Sequence, residues 1–151
     1  MKTPIMLLFG AALLSVLAQI GGWAQEKYQP KANEELYGTW INDTVSGKLI
    51  TSAGGWKEYR DVADKVPIWE GTEQIASKWT DSEGNVWYKT FITITSENNK
   101  GWKLQELHKL SKFGNVKETV RTRVPEFDSI YFPTKIDPKN DDYALCHRLE
   151  K

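Results

Sequence analysis

The sequence predicts an all-β protein: an antiparallel up-and-down β-barrel of about eight or nine strands, with a short helical turn before the first strand. Turn signals recur roughly every 8 to 15 residues, with strand-like runs between them. No helical period is sustained beyond residue 24. Such a strand number also suits a sandwich, but a long meander leaves exposed edges unless its first and last strands pair, which favours closure.

Consecutive hairpins form the centre of the predicted sheet, the clearest of them running from Thr72 to Ser96. The turns of these hairpins are rich in polar residues and glycine: 81–85, 97–101 and 113–115. Prolines make 126–142 the loosest stretch of the domain. The closing strand is expected at Tyr143–Glu150, next to the first strand at Gly38–Asp43. A helical turn at Asn33–Leu36 is expected to plug one end.

The first 24 residues have the pattern of a secretory signal peptide. Lys2 supplies the positive start, Ile5–Ala18 is apolar apart from one serine, and small residues at Gly22 and Ala24 suit cleavage after Ala24. A retained anchor is the alternative, but the apolar run is short for a membrane span of about 20 residues. We therefore predict a secreted or periplasmic protein without a membrane span after cleavage, with a lead-in at 25–35 and the barrel domain at 36–151.

Charge and cysteine content exclude several classes of function. The 20 basic and 20 acidic residues balance, so the chain lacks the basic face that nucleic-acid binding needs. Lys117, Arg121 and Arg123 hint at a basic stripe, but we interpret them as the solvated face of a strand. Cys146 is the single cysteine, so no internal disulfide forms, and its place in a strand pattern indicates a buried thiol.

The tryptophans supply either the core of a small barrel or the walls of a cavity. Trp79 shares a face with Ile75, so we expect it to point inward. Trp102 shares a face with Leu104 and Leu110, so we expect it to point inward as well, and Tyr88 lies on the apolar face of its strand. Trp87 is out of phase with Tyr88, which makes it the best candidate for an outward aromatic side chain.

The segment Gly38-Thr39-Trp40, which opens the first strand of the meander, resembles the Gly-x-Trp signature of small bacterial lipocalin-like proteins of the calycin superfamily. In that family the tryptophan packs across the closed end of the barrel, and an arginine near the end of the last strand covers it. The resemblance implies that Arg148 is this partner. It carries over structural roles for Gly38, Trp40 and Arg148 only, and it implies a barrel that holds a small apolar ligand.

Several polar residues fall on faces that the apolar pattern assigns to the interior. Glu106 and His108 share a phase with Leu104 and Leu110. By the same argument Glu118 faces inward with Val116 and Val120, and His147 faces inward with Leu145. Three explanations stay open: a satisfied hydrogen-bond network, polar anchors in a ligand cavity, or a metal or acid–base centre. The candidate ligand-binding residues are Trp79, Tyr88, Trp102, Glu106, His108, Glu118 and His147.

The sequence carries no phosphate-binding glycine-rich loop and no Gly-x-Ser-x-Gly motif. We therefore predict that the protein is not an enzyme, and that it has no catalytic residues, no cofactor and no resident metal. The favoured function is a secreted lipocalin-like module that holds a small hydrophobic or amphipathic molecule. A filled barrel that contacts protein or glycan through exposed aromatic residues is the second. A metal carrier or enzyme built on the His/Glu cluster is the third.

Overall fold

The computed structural model of the protein describes residues 27–149. The predicted signal peptide and the first residues of the lead-in lie outside the described residues. None of the helices in the described part of the chain has the length and apolar character that a membrane span needs.

Eight antiparallel strands follow one another around a closed barrel, in the order β1-β2-β3-β4-β5-β6-β7-β8. The strands are β1 (Gly38–Asn42), β2 (Gly47–Ser52), β3 (Gly55–Tyr59), β4 (Trp69–Thr80), β5 (Val86–Ile94), β6 (Lys103–Leu110), β7 (Val116–Val124) and β8 (Tyr143–Arg148). The predicted all-β up-and-down barrel is confirmed, with eight strands. Where a helical turn was expected at Asn33–Leu36, the structure has two short turns, at 32–33 and 35–36, and Tyr37 N donates to Glu34 O at 3.0 Å across the second. The helical residues of the described chain are the 3-10 turn Ser129–Tyr131.

The barrel closes where β1 pairs with β8. Trp40 lies opposite Arg148 in this pairing, and the Arg148 guanidinium carbon lies 4.3 Å from the centre of the Trp40 ring. Gly38 has a φ of 144°, and a Cβ there would lie 2.5 Å from Arg148 Nη1. The backbone conformation favours glycine at this position, and a side chain there would also displace the Arg148 guanidinium.

The segment 27–37, here called the N-terminal plug, covers the end of the barrel at which β1 begins. Leu36 is fully buried, and its carbonyl accepts hydrogen bonds from Trp40 Nε1 at 2.9 Å and Thr51 Oγ1 at 2.8 Å. Arg148 donates to the backbone carbonyls of Tyr37 and Glu35. The plug is thus tied to the first, second and last strands, and this end of the barrel is closed.

Glu34 anchors the plug to the barrel wall. Its carboxylate accepts hydrogen bonds from Tyr28 Oη at 2.5 Å, Lys31 N at 2.9 Å, Lys78 Nζ at 2.9 Å and Tyr88 Oη at 3.0 Å. Burial by itself disfavours the charged form, but these hydrogen bonds outweigh it and lower the pKa of Glu34 to about 2. Glu34 is therefore ionised at neutral pH, although its side chain is buried.

The segment 125–142, here called the outer strap, crosses the outside of the barrel between β7 and β8. Phe91 packs between Phe127 and Phe132, with ring centres 4.8 and 5.1 Å away. Gln105 exchanges two hydrogen bonds with the Asp128 backbone, at 2.8 and 2.9 Å. The strap contains no strand, but these contacts anchor the stretch that the sequence predicted to be loosest. Through these contacts the strap covers the outer surface of the barrel around Phe91 and Gln105.

Replacing Arg148 with alanine tests the closure of the barrel. The change removes a cation from the Trp40 ring and leaves several backbone carbonyls without a donor. We expect the free energy of unfolding to fall by about 2–4 kcal/mol, measured by denaturant titration with tryptophan fluorescence. His147→Ala, at the next and outward position, is the control and should cost less than about 1 kcal/mol. An unchanged unfolding midpoint for Arg148→Ala would contradict this role.

The Glu34 network predicts a pH dependence of stability. Because the folded-state pKa of Glu34 is lowered from 4.5 to about 2, its contribution is present above pH 4.5 and is lost as the pH falls toward 2. Glu34→Gln should lower the free energy of unfolding by about 1–3 kcal/mol at pH 7, and this difference should shrink through that window. Glu97→Gln, in an exposed loop, is the control. A difference between Glu34→Gln and the unchanged protein that stays constant to pH 2 would refute the assignment.

Candidate functional site

A cavity of about 180 Å³ lies at the end of the barrel opposite the plug. It sits between the β1–β2 turn and the β3–β4 loop and reaches the inward face of β7. Its walls are largely apolar and include Val45, Leu49, Ile68 and Ala144. Its polar lining includes Asn42, Glu58, Thr119 and Arg121. Apolar walls with a few polar groups are the usual composition of a small-molecule site.

Arg121 joins the cavity to a group of charged side chains at the centre of the barrel. Its Nε lies 2.6 Å from Glu106 Oε1, and its Nη1 lies 3.0 Å from Glu58 Oε2. Burial alone disfavours charge on Glu106, but the Arg121 guanidinium outweighs it and lowers the pKa of Glu106. Glu106 and Arg121 therefore form an ion pair inside the barrel.

His108 lies beside Glu106 on the inward face of β6. Its Nδ1 is 2.9 Å from Thr119 Oγ1, and its Nε2 is 3.0 Å from Thr90 Oγ1. Nε2 also lies 3.3 Å from Glu106 Oε2. Burial outweighs the nearby Glu106 carboxylate and lowers the pKa of His108 to about 3. His108 is therefore a neutral imidazole at physiological pH.

Two further ionisable side chains are fully enclosed in the same interior. Both carboxylate oxygens of Glu73 and the Nζ of Lys117 have no hydrogen-bond partner within residues 27–149. Burial raises the pKa of Glu73 and lowers the pKa of Lys117, so burial favours the neutral form of each. Lys117 Nζ lies 4.8 Å from the Trp40 ring centre. The interior thus holds unsatisfied polar atoms, which folded proteins usually avoid.

The expectation that Glu118 faces inward is wrong. Leu110 pairs with Lys117, so His108 lies opposite Thr119 and Glu118 lies opposite Lys109 on the outer face. Glu118 accepts a hydrogen bond from Tyr143 Oη at 3.1 Å. A shift of one residue in register exchanges the two faces of a strand. The apolar stripe of β7 that suggested the core is the outer stripe, where Val120 and Val124 are nevertheless buried.

The expectation that His147 faces inward is also wrong. Its side chain is half exposed, and its Nδ1 lies 2.7 Å from Asp43 Oδ1 on the barrel surface. Cys146 and Arg148 take the inward positions of β8, and residues next to each other on a strand point to opposite faces. Burial raises the pKa of the Cys146 thiol, so it stays protonated.

Trp79 points outward, against expectation, because a bulge between Ile75 and Ser77 changes the phase of β4. The Trp79 ring stacks on Trp87 with centres 5.8 Å apart and planes 10° from parallel. Trp87 was expected outward and lies there, with its Nε1 bonded to Asp81 at 2.8 Å. Trp102 packs at the edge of the core, where the Arg123 guanidinium carbon lies 3.5 Å from its ring centre.

Tyr88, Glu106 and His108 are the candidates that the structure places deep in the interior. Tyr88 bonds to Glu34 and Glu35 of the plug, far along the barrel from the cavity. Within the described chain, none of the seven candidate residues lines the cavity itself. Two lining residues, Thr119 and Arg121, instead connect the cavity to His108 and Glu106.

Sequence reasoning missed four inward residues: Glu58, Glu73, Lys117 and Arg121. The interpretation of Lys117 and Arg121 as a solvated face is wrong, because both side chains point into the barrel. One sequence signal points to them. Lys117, Thr119 and Arg121 alternate with period two, which marks one face of a strand. The alternation by itself does not show which of the two faces of β7 points into the barrel.

Comparisons of the chain with protein-family models, with curated proteins and with solved structures found no match.

Replacing Arg121 with methionine tests the central ion pairs. The change leaves Glu106 and Glu58 without their cation in a largely enclosed site. We expect a loss of about 2–4 kcal/mol in unfolding free energy, less than for a fully buried pair, because Arg121 keeps 22% of its side chain exposed. Arg123→Met, two residues along the same strand, should cost only about 1 kcal/mol. Equal losses in the two variants, measured by denaturant titration, would contradict a special role for Arg121.

Proposed function

We propose that the chain is a secreted, lipocalin-like, non-catalytic protein that binds a small amphipathic molecule in the cavity at the open end of its barrel. The observation that carries the proposal is the cavity between the β1–β2 turn and the β3–β4 loop. Export rests on the predicted signal peptide at residues 1–24. The closed barrel and the Gly38–Trp40–Arg148 arrangement support the likeness to lipocalin-like proteins.

The size of the cavity indicates the size of the ligand. At about 180 Å³ it is slightly larger than an engineered protein cavity of about 150 Å³ that binds benzene. Ligand pockets for drug-sized molecules are larger, about 300–1,000 Å³. The cavity therefore suits a single ring or a short chain, and not a long lipid.

The polar lining indicates the head group of the ligand. Three cations line the cavity: Lys48, Arg60 and Arg121. Arg121 pairs with the carboxylates of Glu58 and Glu106, so the three positive charges face two negative ones. Lys48 Nζ is held by the carbonyls of Val62 and Asp64, at 2.9 and 3.0 Å. This excess of positive charge favours a ligand with an acidic head and an apolar body.

The non-catalytic part of the proposal rests on the position of the acid–base groups. His108 and Glu106 are fully buried, and their polar atoms contact Thr90, Thr119 and Arg121. General acid–base catalysis requires a group within hydrogen-bond reach of the reacting atom. A ligand in the cavity meets Thr119 and Arg121 before it meets either group. The carboxylate that lines the cavity, that of Glu58, is paired with Arg121 at 3.0 Å.

A small aromatic acid tests the proposal. Benzoate is titrated into the labelled chain by NMR, with benzyl alcohol as the uncharged analogue. Benzoate should shift the signals of Thr119, Arg121, Ala144 and Cys146 and bind at least about tenfold more tightly than benzyl alcohol, a difference of about 1.4 kcal/mol.

Ala144→Leu fills the cavity and should weaken benzoate binding by about tenfold or more. Leu145→Phe adds volume at the next position, on the outer face of β8, and is the matched control. If benzoate bound equally well to both variants, or shifted only signals elsewhere on the surface, the cavity would not be the binding site.

The stacked Trp79–Trp87 pair favours a second candidate function, contact with a protein or glycan. Trp79 is 40% exposed, and both rings line a surface groove with Leu107 and Pro133. Aromatic rings presented in this way are frequent in recognition surfaces. In NMR titrations with oligosaccharides, signal changes at the Trp79–Trp87 pair, together with an empty cavity in the benzoate titration, would favour this function.

A further inference from the structure

Three metal-ligating side chains meet at the centre of the barrel, beyond the cavity. Glu73 comes from β4, and Glu106 and His108 come from β6. One donor atom from each of them lies within 4.8 Å of the other two, and all three residues are buried. We propose that Glu73, Glu106 and His108 form a binding site for a divalent transition-metal ion, with zinc as the best fit. This inference is independent of the ligand proposed for the cavity.

The distances between the donor atoms suit a small ion. His108 Nε2 lies 3.3 Å from Glu106 Oε2 and 4.0 Å from Glu73 Oε1. Zinc binds nitrogen and oxygen ligands at about 2.0–2.2 Å in a tetrahedron, which places ligand atoms about 3.3–3.6 Å apart. The first pair already has this spacing, and the second needs a side-chain shift of a few tenths of an ångström.

Unpaired oxygens at the same place supply an independent reason for a cation. Within the described chain, both carboxylate oxygens of Glu73 and Oε2 of Glu106 have no hydrogen-bond partner and no exposure to solvent. Leaving a buried acceptor unpaired costs about 1–3 kcal/mol, and more when the group is charged. A metal ion between these oxygens would satisfy them together.

The hydrogen bonds of His108 orient it as a ligand. When Nδ1 donates to Thr119 Oγ1, at 2.9 Å, the lone pair lies on Nε2, which is the atom that faces Glu73 and Glu106. In this structure the lone pair accepts from Thr90 Oγ1 at 3.0 Å, and a bound metal would take the place of that hydrogen bond. A hydrogen-bond partner on the second ring nitrogen is the usual arrangement for a metal-binding histidine. Thr119 therefore acts as a positioning residue for the proposed site.

The charges around the site leave room for a divalent ion. Arg121 engages Oε1 of Glu106 and leaves Oε2 free for a metal. Lys117 is the fully buried cation of the inward face of β7, and it lies against the Trp40 ring. Because Arg121 also pairs with Glu58, at 3.0 Å, the two carboxylates of Glu73 and Glu106 remain to balance the charge of a divalent ion.

The donor set favours zinc over the common alkaline-earth ions. Calcium requires six to eight oxygen ligands, and magnesium keeps an octahedral shell with several waters. Imidazole nitrogen and carboxylate oxygen are ligand types that zinc accepts, and three protein ligands leave the fourth position to water or another small donor, as in open zinc sites.

The purified, untagged full chain tests the proposal after treatment with a chelator. Zinc chloride is added in equilibrium dialysis, and bound metal is measured by mass spectrometry. We expect one zinc ion per chain, and we expect zinc to shift the ring nitrogen NMR signals of His108 and not those of His147. Glu73→Gln and His108→Gln should each weaken binding by about 100-fold or more, and Thr119→Val by about tenfold.

His147→Gln is the matched control, because His147 is the other histidine of the chain and lies on the surface beside Asp43. It should leave zinc affinity unchanged. The proposal is overturned if the unmutated chain retains no stoichiometric zinc, or if zinc shifts His147 and is lost only in His147→Gln. The NMR signals of the unmutated chain decide the matter even if His108→Gln fails to fold.

Discussion

The pairing of β1 with β8 is the constraint on which the rest of the molecule depends. It converts a meander into a barrel and thereby gives the chain an inside. Trp40 and Arg148 lie opposite each other in this pairing, and Arg148 also holds the N-terminal plug through backbone carbonyls. One side chain thus joins the first strand, the last strand and the plug, and Gly38 leaves it the space it needs.

Closure at one end makes the two halves of the interior different. The half near the plug is filled by Trp40, Leu36 and Tyr88, all fully buried. The other half contains the cavity, and charged side chains separate the two. Because a charge inside a barrel is costly unless it is paired, Arg121 and its two glutamates position each other. The carboxylate oxygens of Glu73, by contrast, have no hydrogen-bond partner within residues 27–149.

The outside of the barrel explains why face assignment from sequence failed on β7. The outer strap packs on the outer surface near β5 and β6 through Phe91 and Gln105. Val120 and Val124, which share the outer face of β7, are also buried. Both faces of the strand are therefore largely removed from water, and hydrophobicity alone no longer identifies the inner one. The polar inner face contains the residues that the proposed functions use.

Local patterns determined the fold class, the hairpin turns, the closing strand and the inward positions of Glu106 and His108, because turn residues and alternation act over a few neighbours. They did not determine which way Trp79, Glu118 and His147 point. Those directions depend on a bulge in β4, on a one-residue register in the β6–β7 hairpin and on the pairing that closes the barrel. The meeting of Glu73 with His108 and the ion pair of Arg121 with Glu58 arise only in three dimensions, since they join strands that the sequence keeps apart. Arg121 and Glu106 lie opposite each other across one hairpin, and the register of that hairpin decides their pairing.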